Sequence, residues 1–503
     1  MDVDVRAHAR RNPGTDIDAI KTGLVPAPDS EAGREAPPDR TRNGKAAVSE
    51  QVAATDVPAV FLVANLLLES RVLRESTRQK VGTTALTRTH FLLLYAAMLV
   101  AASGNTALQS VMPAIGREIE ISDFWVAVAY TWSAVLWVAL APFWAEKSDH
   151  HGRKALTLLG LSGFIVSTLL CGTILHLGLI GAIGGGLTFL LFGIFRAIYG
   201  ALGSATPSAT QAYLAAKTRR GGRVAALSAL SSSFGLGTII GPAVAPLFVL
   251  PVVGLAGPMF AFALIAIAVF TSVLLWLPND RYGRRIGHGA AMSYPSGASQ
   301  PTGASVVAAT SPRGKRLSWK DSRVRSWIMA GVAAGHAQAA TLTCIGFFVI
   351  DRLSLEPHGS EASIAIVMMA GASATLAAQW GLIPRLNLKP QALIFSGALV
   401  AAIGLAGAMI ARDLYGITLS FALASLGFGF TRPGFTGGAS LAVPLAEQGG
   451  VAGLITAANG ISWVAAPALG MALYLVNPNL PFAISSVLLV ALAVWSRRAL
   501  PGF

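Results

Sequence analysis

The sequence predicts an all-α membrane protein with twelve transmembrane helices arranged as two pseudo-symmetric six-helix bundles. The chain of 503 residues is 53% hydrophobic and only 12% charged, whereas an ordinary soluble domain has about 25% charged residues. Apolar windows of about 20 residues, long enough for a helix to cross a hydrocarbon core of about 30 Å, recur along the chain. A polar segment divides these windows into two sets of six.

The apolar windows define twelve predicted spans, numbered in chain order. Spans one to six are 91–111, 124–144, 156–177, 187–206, 225–250 and 254–277. Spans seven to twelve are 327–350, 362–384, 391–411, 414–431, 451–474 and 480–496. We expect helices because a helix satisfies its own backbone polar groups in lipid, and these windows are too long and unalternating for barrel strands.

The predicted organisation has four parts: an N-terminal extension (1–88), a first bundle (89–278), a cytoplasmic linker (279–326) and a second bundle (327–503). The extension mixes charged residues, Pro and Gly without periodicity, so we expect it to be mostly disordered and cytoplasmic. Its apolar run VPAVFLVANLLL is too short to span and is expected at the membrane surface or on the protein. A start codon assigned too far upstream would explain the extension equally well.

Basic residues concentrate in alternate loops. Twenty Lys and Arg residues follow even-numbered spans, with the C-terminal end after span twelve included. The loops after odd-numbered spans contain only three basic residues beside seven acids, and the three are Arg117, Arg352 and Arg412. This positive-inside pattern predicts a multi-pass protein of the cell (inner) membrane with both termini in the cytoplasm. It also accounts for the net charge of +14, so a nucleic-acid partner is not expected.

Cysteine usage indicates neither a disulfide framework nor a metal site. Cys171 and Cys344 are the two cysteines of the chain, and both fall inside predicted spans. A free cysteine in such a setting behaves as a small apolar packing residue. We therefore expect no bound metal.

A weak internal repeat relates the two halves. Pro207 and Pro433 are 226 residues apart, and Gly241-Pro242 corresponds to Ala466-Pro467 at nearly the same offset. Between them, GGRVAAL resembles GGVAGL in the same order. Parallel halves of this kind enclose a substrate site near the midplane in one known transporter architecture, so the repeat predicts alternating access.

The charged stretch WAEKSDHHGRKAL at 144–156 lies between spans two and three. It resembles the loop Gly-x-Leu-Ala-Asp-Arg-x-Gly-Arg-Lys of the major facilitator superfamily, with Ala145 and His150 replacing the first Gly and the first Arg. The matching residues are Asp149, Gly152, Arg153 and Lys154. The resemblance runs from about residue 90 to the C-terminus and implies a twelve-span transporter most similar to drug:proton antiporters of the tetracycline and multidrug type.

This loop is expected to act in gating. Gly152 can adopt a backbone conformation that other residues resist. Asp149 can lie near the amino end of a neighbouring helix or pair with Arg153, and such contacts would form a latch that exists only when the halves are closed at the cytoplasmic face. Alternatively, Arg153 and Lys154 serve only as topology anchors.

Span four carries Arg196 in the apolar stretch LLFGIFRAIYGALGSA. Burying Arg at a bilayer centre costs about 2.5–3.5 kcal/mol on insertion scales, so an intramembrane cation is a functional candidate. The stretch resembles the Arg-x-x-x-Gly element of span four in drug and sugar transporters of the superfamily, which implies a role in proton coupling. A structural Arg bonded to helix carbonyls or Ser side chains is the alternative.

Span five contains the stretch FGLGTIIGPAVAPL. Gly237 and Gly241 lie on one helix face and permit close helix approach, and Pro242 removes a backbone donor, so we expect a hinge here. The stretch is similar to the antiporter element Gly-x-x-x-Gly-Pro-x-x-Gly-Gly of the superfamily. Ala245 and Pro246 replace its last two glycines, which weakens the antiporter inference.

The predicted spans contain no Asp or Glu, although proton-driven exporters commonly use an intramembrane carboxylate. His336 is the group whose charge can change near neutral pH, and it is either a second proton-coupling candidate or merely hydrogen-bonded. Neutral polar and aromatic side chains remain as candidates that line the cavity or simply pack: Asn105, Gln109, Gln338, Asn459 and Trp463.

These observations predict a secondary transporter that uses a proton gradient and no cofactor to expel small amphipathic compounds. We expect the protein to be a monomer that contacts membrane lipid. Proton symport or uptake of a small organic anion is the alternative favoured by Arg196 and the absence of acids. A membrane receptor or scaffold is disfavoured because the linker is too short and polar to be a soluble domain. No nucleophile–base or metal-ligand cluster lies within the spans, so an enzyme is not expected, and no Gly-x-x-x-x-Gly-Lys sequence indicates ATP hydrolysis.

Overall fold

The computed structural model describes residues 86–218, 223–279, 317–444 and 447–501. The predicted N-terminal extension, apart from its last three residues, and most of the predicted linker lie outside the described residues. Twelve helical segments within these ranges are long and apolar enough to cross a membrane. The sequence-based prediction of twelve spanning helices is therefore confirmed.

Helix bounds follow the predicted spans closely. The first bundle consists of spans one to six, formed by Arg88–Glu118, Asp123–His151, Arg153–Leu179, Gly185–Leu202 with Ala205–Lys217, Arg223–Val244 and Gly257–Trp276. The second bundle consists of spans seven to twelve, formed by Ser322–Leu353, Glu361–Leu376 with Ile383–Leu386, Pro390–Ile410, Leu414–Leu441, Gln448–Val476 and Leu480–Ala499.

Several spans differ from the prediction in detail. Span five ends at Val244 and is followed by one turn of 3-10 helix, Ala245–Phe248, because Pro246 has no backbone N–H to continue the α-helix. Span eight contains a π-helical segment, Ala377–Leu382. Spans two, four and ten were predicted too short, because their helices continue to His151, Lys217 and Leu441. Spans one and seven also continue past their apolar windows, to Glu118 and Leu353, so that charged residues at 117 and 351 become part of helices.

Glycine allows the closest helix contacts within each bundle. In the first bundle, a Cβ on Gly237 would lie 2.7 Å from the Ala102 Cβ of span one, and the Thr106 hydroxyl donates to the Gly237 carbonyl at 3.1 Å. In the second bundle, Gly397 of span nine and Gly427 of span ten face each other's backbone. Helices in lipid associate mainly through such close packing of small residues.

The two bundles meet mainly where span two packs on span eleven and span five packs on span eight, and span one also contacts spans seven and eight. A Cβ on Gly346 of span seven would lie 2.6 Å from the Pro113 ring of span one. A Cβ on Gly460 of span eleven would lie 2.9 Å from Val138 of span two.

Large apolar side chains cover the outer faces of several spans. Leu264 and Leu275 of span six are each 66% exposed, and Leu419 of span ten is 73% exposed. An apolar surface of this extent is unfavourable in water and favourable in hydrocarbon. The outer faces therefore fit a multi-pass membrane protein.

Candidate transport cavity and ion cluster

A cavity lies between the two bundles. Spans one and two of the first bundle and spans seven and eleven of the second bundle contribute its walls. Most of the lining side chains are apolar, and three are aromatic, those of Tyr130, Phe347 and Trp463. A largely apolar cavity with a few polar groups is the usual form of a small-molecule site.

Gln109 supplies a hydrogen-bond acceptor to this cavity. Its Oε1 atom is buried and has no hydrogen-bond partner among the described residues, and the side chain is part of the cavity lining. Buried acceptors are nearly always bonded, so this oxygen is suited to receive an N–H or O–H of a bound molecule. Trp463, another candidate from the sequence, also lies in the lining of this cavity.

A second cavity lies beside the first one, and Leu342 contributes to both. Thr238 from span five and side chains from spans seven, eight and ten line it, including Gln338. Among the described residues, those that line the two cavities include no Asp, Glu, Lys or Arg. The walls can therefore accept neutral, partly aromatic molecules without desolvating a charge.

Arg196 is buried in the first bundle, with 2% of its surface exposed. Its guanidinium donates a hydrogen bond to Oδ1 of Asn105 in span one, and its Cζ lies 5.6 Å and 4.8 Å from the ring centres of Tyr130 and Tyr199. These contacts replace part of the hydration that the cation loses. Because Tyr130 also lines the cavity, Arg196 lies directly behind the cavity wall.

Three predicted candidates have other surroundings. Nδ1 of His336 lies 2.8 Å from the Val332 carbonyl of its own helix and 3.3 Å from the Ser462 hydroxyl of span eleven. Asn105 is fully buried at the Arg196 contact. Asn459 is half-buried on span eleven and is not among the residues that line either cavity.

An ion cluster joins the two bundles at the end where the loops after odd-numbered spans lie, called the acidic end here. Arg117 of span one donates through Nε and Nη2 to the two carboxylate oxygens of Asp123 of span two, at 2.7 and 2.6 Å. The same guanidinium contacts Asp351 of span seven twice at 3.0 Å. The Tyr474 hydroxyl of span eleven donates to Asp351 at 2.6 Å. The cluster comprises Arg117, Asp123, Asp351 and Tyr474.

In the sequence, the charged residues of this cluster indicate only the topology of the chain. Arg117, Asp123 and Asp351 lie just outside the apolar windows, and Tyr474 ends one of them. Each of the four residues lies within one or two helical turns of the end of an apolar window. A helix that continues past the window can hold such a side chain against a neighbouring helix, and this position is the one signal that the sequence offers. The pairing itself has no signature in the sequence.

The opposite end, where the basic loops lie, is called the basic end. Span seven begins there, and Asp321 accepts hydrogen bonds from the backbone and the side chain of Arg323. These hydrogen bonds, the side-chain one foremost, lower the pKa of Asp321. Arg323 also contacts Glu447 at 2.9 Å, which ties the start of span seven to the start of span eleven within the second bundle.

The loop between spans two and three contracts to a single residue. Gly152 separates the helices that end at His151 and begin at Arg153, and its φ of 89° is positive. The Nζ of Lys154 donates to the Leu274 carbonyl at 2.8 Å, in the last turn of span six. This contact stabilises a helix C-terminus within the first bundle. The side chain of Asp149 lies outside the part of the chain that the structure describes, so its latch role stays a prediction.

Gly152→Ala is expected to destabilise the folded protein. The backbone at Gly152 has φ 89° and ψ 139°, a region that is close to glycine-only and costs roughly 1–3 kcal/mol for other residues. Thermal unfolding in detergent measures the effect. Gly437→Ala is the matched control, because a Cβ there meets nothing within 4 Å and φ is not positive. Equal melting temperatures for the two variants would contradict the expectation.

Twelve spanning helices in two bundles around an apolar cavity define the class: a multi-pass membrane transporter, not an enzyme. The chain belongs to the Major Facilitator Superfamily, whose family model matches residues 94–467. The resemblance found in the sequence is thereby confirmed at the level of the family.

One curated relative is the tetracycline resistance protein, class B, of Escherichia coli, which is 31% identical over 198 residues. The match covers 37% of this chain and 43% of that protein, so it spans less than half the length of the relative. The match therefore relates part of this chain to part of a resistance protein.

Two solved structures share the fold. The human organic anion transporter MFSD10 (TETRAN) has a TM-score of 0.56 and 16% identity, and the match covers 81% of this chain and 99% of that one. A POT family transporter in complex with a thioalcohol-conjugated peptide has a TM-score of 0.59 and 12% identity, with 81% and 96% covered. At these identities the likeness concerns the fold alone.

Proposed function

We propose that this chain is a proton-coupled transporter that expels small amphipathic compounds by alternating access. The observation that carries the proposal is the cavity between the bundles, whose lining combines Tyr130, Phe347 and Trp463 with the acceptor of Gln109. The match to a tetracycline resistance protein supports efflux as the direction. Generic aromatic walls suit amphipathic molecules of varied shape.

The proposed cycle uses the two bundles as rigid units. The basic end and both termini face the cytoplasm, because twenty Lys and Arg residues follow even-numbered spans or span twelve and basic loops remain inside. The cavity then opens alternately toward the cytoplasm and toward the acidic end. The transporting unit is a single chain, since one chain supplies both bundles that enclose the cavity.

Everted vesicles with an imposed proton gradient test this proposal, with tetracycline as the first probe and further amphipathic compounds after it. Adding a substrate should dissipate the gradient and load the vesicles if a proton leaves as the substrate enters. Vesicles without the protein give the baseline. The proposal would be contradicted if neither tetracycline nor any of the further compounds moved with or against protons.

Trp463→Ala is expected to raise the KM of a transported compound, because the side chain lines the cavity and is 8% exposed. Losing a buried aromatic wall removes roughly 1.5–3 kcal/mol of burial, which corresponds to tenfold or more in affinity. Trp125→Ala is the matched control, since Trp125 is 58% exposed on span two. A KM unchanged in Trp463→Ala would place the substrate elsewhere.

Uptake of a small organic anion with protons is the second candidate function. The observation that favours it is the buried cation Arg196 behind Tyr130, together with cavity linings that contain no carboxylate among the described residues. The two candidate functions predict opposite directions of substrate movement in the vesicle experiment. Under the imposed gradient an exporter accumulates the compound, whereas a symporter releases it.

A further inference from the structure

Three basic side chains are grouped at the basic end of spans nine and twelve. Lys389 is the residue just before the span-nine helix, and Arg497 and Arg498 lie in the last turn of the span-twelve helix. All three are exposed, and we call them the basic group. The stretches 362–412 and 448–503, which contain both helices, have no Asp or Glu. The positive charge of the group is therefore not balanced by its own helices.

Carboxylates on other helices are engaged elsewhere. Among the side chains that the structure describes at the basic end, the carboxylates are those of Asp321 and Glu447, and both contact Arg323. Arg385, four residues before Lys389, donates to the Gly381 carbonyl at 3.0 Å and adds a further positive charge to the same region. A surface with such an excess of one sign of charge attracts ligands of the opposite sign.

The Gln391 side chain connects the start of span nine to the end of span twelve. Its Nε2 lies 3.2, 3.3 and 2.9 Å from the carbonyl oxygens of Ser496, Arg497 and Leu500. The Cζ of Arg497 lies 3.8 Å from the ring centre of Phe395 on span nine. These contacts bring the cations of the two helices to one place on the surface, although more than 100 residues separate them in the chain.

An apolar outer surface continues from the basic group along the same two helices. On span twelve, Val490 and Val494 are exposed, and Arg498 follows at the same spacing of four residues, which keeps all three on one helix face. On span nine, Leu399 and Ile403 are exposed. Spans nine and twelve pack against each other, so a hydrocarbon-facing surface lies directly below the cations.

We propose that the basic group binds the headgroup phosphate of an anionic phospholipid whose acyl chains lie on the apolar outer faces of spans nine and twelve. A guanidinium donates two parallel hydrogen bonds to a phosphate, and Lys389 adds a third positive charge. The Phe395 ring packs against the Arg497 guanidinium, and a guanidinium that stacks by its face keeps the N–H groups of its edge for the phosphate.

The apolar faces identify the occupant as a lipid. A soluble phosphate would contact only the cations, whereas a phospholipid contacts the cations with its headgroup and the apolar faces with its chains. Basic residues beside a membrane attract anionic headgroups in this way. Topology by itself requires positive charge at the basic end but not at a particular pair of helices, so the site predicts an effect of position that topology does not.

Native mass spectrometry of the purified full-length chain tests the site. The protein is titrated with dioleoylphosphatidylglycerol and, separately, with dioleoylphosphatidylcholine, which has the same chains and no net charge. The unmodified chain should bind phosphatidylglycerol more tightly than phosphatidylcholine. The double variant Arg497→Gln with Arg498→Gln should bind phosphatidylglycerol roughly 25-fold more weakly, at about fivefold for each cation lost beside a membrane. Its affinity for phosphatidylcholine should not change.

Lys217→Gln with Lys320→Gln is the matched control, because it removes the same charge near the basic end at the end of span four and just before span seven. This variant should bind phosphatidylglycerol like the unmodified chain. Lys389→Gln provides a single change at the start of span nine, where Lys389 makes no side-chain cap hydrogen bond, and should weaken binding about fivefold. It carries the test if the double arginine variant fails to fold.

Three results would overturn the proposal. One is equal affinity for the two lipids in the unmodified chain. Another is unchanged phosphatidylglycerol binding in the folded variants of the basic group, or an equal loss in the matched control, because the attraction would then be spread over the whole basic end. The third is displacement of the lipid by an equal concentration of glycerol phosphate, which has no acyl chains and would identify the occupant as a soluble phosphate.

Discussion

Arg196→Ala is expected to reduce transport by roughly tenfold or more while the protein still folds. Hydrogen bonds to charged groups contribute about 1.5–3 kcal/mol. Each loss of about 1.4 kcal/mol in the stability of the transporting conformation lowers the transport rate about tenfold. Arg196 bonds Asn105 and stacks near Tyr130, which lines the cavity. Removing it disturbs the wall of the cavity and the connection between spans one and four.

Folding should survive because two effects of similar size oppose each other. The orphaned Asn105 acceptor costs about 1–3 kcal/mol, whereas removing a membrane-embedded cation recovers about 2.5–3.5 kcal/mol on insertion scales. Substrate flux and the melting temperature should be measured on the same preparation. Arg412→Ala is the matched control, since Arg412 is exposed at the acidic end. Full transport by Arg196→Ala would leave Arg196 with a structural role only.

Gly241→Ala is expected to lower the melting temperature clearly, through an overlap that the backbone cannot relieve. A Cβ on Gly241 would overlap the Ser103 carbonyl and the Thr106 hydroxyl of span one. Thr106 is fixed by hydrogen bonds to the Ala102 and Gly237 carbonyls at 3.0 and 3.1 Å. Overpacking of this kind costs about 1–3 kcal/mol, occasionally more.

Gly193→Ala is the matched control for this effect. A Cβ on Gly193 in span four meets nothing within 4 Å, so the same substitution should be neutral or stabilising by up to about 1 kcal/mol through helix propensity. If the melting temperature changes in opposite directions in the two variants, the effect of close packing is separated from any general effect of losing a glycine. Equal melting temperatures would mean that span one moves aside freely, and the hinge proposed at Gly237, Gly241 and Pro242 would lose its packing basis.

The spans and the backbone of the loop at Gly152 were determined by the sequence alone. An apolar window of about 20 residues satisfies its own hydrogen bonds as a helix in lipid, so no distant contact is needed to predict it. Arg196 also stood out, because any cation inside such a window must find partners. The ends of spans one and seven were harder, since polar residues beyond the window continue the helix without a hydropathy signal.

The tertiary structure alone decided which partners these residues have. Arg117 and Asp351 are 234 residues apart and on different bundles, and Tyr474 is 123 residues from Asp351. Asn105 was a cavity candidate from its position, but packing of span one beside span four brings it to Arg196. Hydropathy and helix periodicity act over a few turns, whereas an ion cluster forms only where the packing of several helices brings side chains together.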